Sequence, residues 1–151
     1  KTQTANSGAS PYDAYSGSVS VGDTGGSPSA STIVTAVDFT INNSFAPTFV
    51  VGSDSAPQLE VGRAEIEGNM SVYFEDAAMI NRFINETETE LQVVVGDNAS
   101  TPNTLTFNFP RVKINSADVG VDGPTSRVVN MSFVALYDST DTTSLTITRA
   151  P

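Results

Sequence analysis

The chain has 151 residues, 17 acidic against 7 basic side chains, a net charge of −10, and neither cysteine nor histidine. Without cysteine there are no disulfides, thiolate nucleophiles or thiolate-held metal centres, and without histidine the commonest general base and transition-metal ligand are gone. The basic residues (Lys1, Arg63, Arg82, Arg111, Lys113, Arg127 and Arg149) are scattered, so the clustered cations that tight DNA or RNA binding requires are missing and a polyanion would be repelled.

The length suits one domain able to bury roughly 70 % of its unfolded surface. No apolar run approaches the ~20 residues that a membrane-crossing helix needs, and no membrane partner is expected. The start carries neither a charged nor an apolar signal region. It opens on Lys1, as a processed product or a piece of a longer chain would.

Residues 1–32 are mostly Ser, Gly, Thr, Ala and Asp, with little but Tyr12, Tyr15, Val19 and Val21 to bury. Burial of so few side chains cannot offset the ordering entropy, which predicts a linker or an arm that orders on a partner, with residues 18–21 able to add one short strand. The folded domain is expected over 33–151. Residues 33–41 alternate, with Val37, Phe39 and Ile41 on one face. Asn42 and Asn43 then read as a turn, and 45–51 as an edge strand interrupted by Pro47.

The segment 61–85 is the most informative. Ile66, Gly68, Met70, Val72 and Phe74 fall on every second place, while Glu65, Glu67, Asn69, Ser71 and Tyr73 take the other face, describing a strand with one wet side. The period then changes: Ala77, Met79, Ile80, Phe83 and Ile84 recur at three- and four-residue steps, the buried stripe of a short helix with Asp76 as its N-cap. Further strands are predicted at Leu91–Val93–Val95, at Leu105–Phe107–Phe109 with Pro110 making a break or bulge before Val112 and Ile114, at Val129–Met131–Phe133–Ala135, and at Leu145–Ile147. About seven strands and one helix predict a mainly β fold, a sandwich or partly open barrel with the helix on its flank.

Candidate chemistry is sparse. Asn-x-Ser/Thr triplets start at Asn42, Asn69, Asn85, Asn98 and Asn130, but two lie inside predicted strands, and chance explains them better than glycosylation. Glu65 and Glu67 stand roughly 7 Å apart on one strand face. That spacing suits a glycosidase pair, although such pairs usually come from different strands around an aromatic cleft, and this chain has no tryptophan. Asp118 with Asp122, and Asp138 with Asp141, are oxygen ligands without calcium-loop spacing, so turn formation is the simpler role. No cofactor or metal is implied.

In this order the elements resemble the major tail tube proteins of long-tailed bacteriophages. The residues that carry the resemblance are VGRAEIEGNMSVYFED (61–76), AAMINRFIN (77–85), LTFNFPRVKI (105–114) and VVNMSFVALYD (128–138), within a similarity spanning about 33–149. The resemblance implies a non-enzymatic virion subunit, assembled in the bacterial host, that joins copies of itself into hexameric rings. Stacked rings form a conduit that meets other tail proteins and passes DNA without binding it. It makes Glu65 and Glu67 candidate lumen residues, Val128, Asn130 and Ser132 candidate inter-subunit residues on a strand with an edge free to dock, and residues 1–32 an inter-ring arm or a linker to a second, related half. The acidic balance suits such a lumen, because like charge lets DNA slide. The alternative is a surface or carbohydrate-binding β-sandwich with a platform built from Tyr12, Tyr15, Tyr73 or Tyr137.

Overall fold

The computed structural model describes residues 11–31, 33–48, 51–52, 58–60, 62–74, 78–97, 103–120 and 127–150. Its strands are β1 (Tyr12–Asp23), β2 (Ser29–Ala30), β3 (Val34–Asn42), β4 (Ala46–Thr48), β5 (Gln58–Glu60), β6 (Glu65–Tyr73), β7 (Thr89–Asp97), β8 (Thr104–Val119), β9 (Val128–Ala135) and β10 (Thr146–Ala150), with one helix, α1 (Ala78–Ile84), between β6 and β7. Eight strands form one antiparallel sheet in the order β2-β1-β7-β8-β9-β6-β3, with β10 also on β8, while β4 and β5 form a separate ribbon. The mainly β architecture with one short helix matches the sequence expectation.

β8 organises the fold. Its first half pairs with β7 on one side and β10 on the other, and its second half pairs with β9 on the side that β10 has left. The register against β7 shifts between Thr89 and Leu91, opposite Pro110 and Arg111. A proline has no N–H to give a ladder, so the bulge falls where that loss does least harm. The sheet turns there into two layers. Phe39 on β3 meets Phe107 and Phe109 on β8 at centroid distances of 5.2 and 5.1 Å, although β9 and β6 lie between β3 and β8 in the sheet order.

The core between the layers is built from the alternating positions: Ile66, Met70 and Val72 on β6, Val129, Met131, Phe133 and Ala135 on β9, and Phe109, Val112 and Ile114 on β8. Met79 of α1 is buried, and Ile80 and Phe83 pack on the same cluster. The proposed N-cap Asp76 lies outside the described residues. Asn42 accepts a bond from the Ser44 amide at 3.1 Å, closing the expected turn after β3.

The stretch read as an arm is partly sheet. β1 runs for 12 residues and pairs with β7 from Tyr12↔Asp97 to Asp23↔Thr89, with a bulge between Asp13 and Ser18. Only Ser20 in it is buried, and Val19 and Val21 are half-buried against the core, so main-chain pairing adds to a modest side-chain burial in holding it. Residues 1–10 lie outside the described set.

Candidate lumen face and open sheet edges

The second layer is a four-stranded unit, β8 (second half)-β9-β6-β3, whose outward face is polar except at Ala36 and Val134 in the rows that follow. The cross-strand rows read Ser116–Ser132–Asn69–Asp38 and Asp118–Asn130–Ser71–Ala36, with Lys113–Val134–Glu67–Thr40 beside them. Opposed polar side chains satisfy one another across the strands. The Ser116 and Ser132 hydroxyls are 2.6 Å apart, Ser71 donates to Asn130 Oδ1 at 2.8 Å, and Asn69 Nδ2 donates to Asp38 Oδ2 at 3.0 Å.

Four carboxylates stand on this face, Asp38, Glu65, Glu67 and Asp118, all solvent-exposed. None forms an ion pair among the described residues. Three of the basic residues are engaged around α1 and the turn that follows it. Arg82 bonds Asp23 at 2.6 Å, Lys113 bonds Glu86 at 3.0 Å, and Arg111 grips Glu88 through Nε at 2.8 Å and through its terminal nitrogen. Lys113, the one base in the polar rows, sits at their end and is turned to Glu86. The fold thus separates charge, drawing cations toward the helix and leaving a polar sheet face that is net negative.

The Arg111 guanidinium, by hydrogen bond and then by charge, holds the Glu88 carboxyl below the usual carboxylate range. Asp138 is likewise lowered, first by the Asp141 amide and also by that of Thr140, the two bonds being 2.9 and 2.7 Å. That is the turn-forming role expected for Asp138; Asp122 lies outside the described residues. Glu67 lines a shallow open hollow with Asp38, Thr40, Asn69, Asn115 and Ser132. Tyr73 ends β6 opposite Val128, whereas Tyr137 follows the other end of β9 and Tyr12 and Tyr15 belong to β1, so the four tyrosines do not form one platform.

Two long edges are unpaired among the described residues. β3 pairs only with β6, leaving its outer side open, and β8 beyond Val112 has no strand on the side that β7 occupies earlier. Sequence reasoning missed both, because an edge is defined by which strands meet. It expected an open edge on β9 instead. That expectation is corrected here: β9 is paired with β6 on one side and β8 on the other over its length. Asn130 and Ser132 share the polar face with Asn69 and Ser71, and Val128 lies in the row of Tyr73.

Residues 1–135 match the family described as phage tail tube protein. Sequence comparison with curated proteins finds no match. Among solved structures, the chain is similar to a subunit of the tail of an empty gene transfer agent particle, refined with C6 symmetry. The two share 13 % identity at a TM-score of 0.63, over 90 % of this chain and 98 % of that one. It is also similar to the SPP1 tail tube (12 %, TM-score 0.60, 82 % and 75 % covered) and to the cap that terminates the anti-feeding prophage tube (13 %, TM-score 0.60, 93 % and 92 % covered). These likenesses fix the fold, and the match over most of the sequence fixes the family: the chain belongs to the phage tail tube proteins.

Proposed function

We propose that this chain is a structural subunit of a phage tail whose copies close into six-fold rings, β3 of one copy pairing with the second half of β8 of the next. The rings stack into a tube, and the polar sheet face lines it. The observation that carries this reading is a four-stranded layer with an open edge on each side and one face without an unpaired cation. The two edges are different strands, so the contact is heterologous, and a heterologous contact closes into a ring when its rotation allows. An even number of alternating antiparallel strands lets each added copy continue the antiparallel order. The six-fold count is taken from the C6 symmetry of the gene transfer agent tail.

In such a ring Asp38, Glu65, Glu67 and Asp118 face the lumen. Asn130 and Ser132 share that face and join the lining, while Val128 remains a candidate contact at its rim. A duplex meets negative charge and short, mutually bonded polar side chains, with no cation array to hold its phosphates. Passage of the genome, assembly in the host cell and contact with other tail proteins follow from this reading. The residues ahead of β1 are proposed to reach the neighbouring ring. The role needs no catalysis. Electron microscopy of purified protein at rising concentration tests it: closed six-fold rings and tubes are expected, and a chain that stays monomeric in the presence of its own tail proteins contradicts it.

A further inference from the structure

We infer that the groove between α1 and the second half of β8 is a socket for Ile41 of another copy of this chain. The inference rests on the edge-to-edge ring proposed above and names where that contact is anchored. Phe83, Ile84, Glu86, Lys113, Ile114 and Asn115 line a groove of about 320 Å³. Ile114 is buried at its floor, and Ile84, the last residue of α1, leaves 65 % of its surface exposed at its wall. The groove lies where β7 has ended its pairing at Val112 and the open edge of β8 begins.

At the opposite side of the same layer, Ile41 is 42 % exposed although alternation puts it on the core face with Val37 and Phe39. Within one copy Ile41 is not among the residues that line the groove. The row Val112–Ala135–Ile66–Ile41 spans the layer, three inter-strand steps of about 4.8 Å each. An incoming copy removes that separation. β3 runs opposite to β8, so its Asn42 end arrives beside Lys113, and Ile41 arrives on the side of the sheet that Ile114 occupies. A one-residue slip would turn Ile41 to the polar face, so seating it sets the register of the joint as well as covering two exposed apolar groups.

The test uses the full chain with Ile41→Glu and Ile84→Glu, both at exposed positions, followed by sedimentation velocity and, for fold, by thermal melting. Each variant alone is expected to stay monomeric at concentrations where the parent chain forms rings, its assembly threshold raised by roughly tenfold or more. Mixed together they are expected to give a one-to-one dimer and nothing larger. Ile84→Glu still offers an intact Ile41, Ile41→Glu still offers an intact socket, and the joint they make leaves only spoiled partners at its two ends. If a Glu variant loses its melting transition, the milder pair Ile41→Ser and Ile84→Ser carries the same test. Single variants that form rings like the parent, or a mixture that stays monomeric, overturn the socket while leaving the ring reading standing. A parent chain that never assembles overturns both.

Discussion

Gly68 on β6 lies directly opposite Phe133 on β9, and the Phe133 ring fills the space that a side chain at 68 would take. A Cβ at Gly68 would come within 2.5 Å of the ring Cζ and 2.9 Å of Cε1, and would also crowd the Asp38 carbonyl oxygen on β3. The ring in turn packs edge-on against Phe109, at a centroid distance of 6.2 Å, tying the polar layer to the other half of the sandwich.

Gly68→Ala is therefore expected to lower stability by about 1–3 kcal/mol through overpacking, read as a lower midpoint in urea at unchanged slope. Phe133→Leu in that background is expected to recover only part, because the Asp38 carbonyl remains in the way. Full recovery would show that the ring alone demands the glycine.

Phe109 is fully buried and joins Phe39 to Phe133. Phe109→Ala is expected to cost about 3–5 kcal/mol, a figure that includes the cavity left behind. Chemical denaturation checks it, and a loss under 1 kcal/mol would mean that the two layers do not depend on each other as described.

The Arg111–Glu88 bond makes folding pH-dependent. Native Glu88 holds its proton less tightly than the unfolded chain does, so its contribution is full above the ordinary carboxylate value of 4.5 and is lost as pH falls through the lower folded value. Glu88→Gln is expected to destabilise the protein modestly at pH 7 and to converge with the parent in acid. Thermal melts across the acid range measure that difference, and a gap that stays constant with pH would contradict the assignment.

Reversing charge on the proposed lining separates assembly from passage. Glu65 and Glu67 are exposed and lie on β6, one strand in from the open edge of β3. Glu65→Lys with Glu67→Lys is expected to leave ring formation intact while raising salt-sensitive DNA retention on the order of tenfold or more. Binding assays at two salt concentrations show it; equal retention by parent and variant would place that face outside the lumen.

What could be read in the sequence follows from side-chain burial. β6 and β9 alternate strictly between buried positions and more accessible ones, so both were legible, and the change of period after Phe74 marked the helix. Pro110 announced the bulge in β8, although the strand carries on through it as one element of 16 residues. Of β1 only residues 18–21 were read as a possible strand, because most of its side chains bury little and its partner, β7, lies far along the chain. The wet face carrying Glu65 and Glu67 was visible as a pattern, but Asp38 and Asp118 join it only through tertiary pairing. Val128, Asn130 and Ser132 looked like an exposed ribbon because the sequence does not show that β6 and β8 flank it.

Amide hydrogen exchange, compared between dilute monomer and concentrated assembly, tests the joining of β3 to β8 most directly. The account expects protection to rise at alternate amides along Val34–Asn42 and residues 113–119, with β9 unchanged. Assembly that leaves both edges exchanging as fast as in the monomer, or that protects other segments instead, would contradict it.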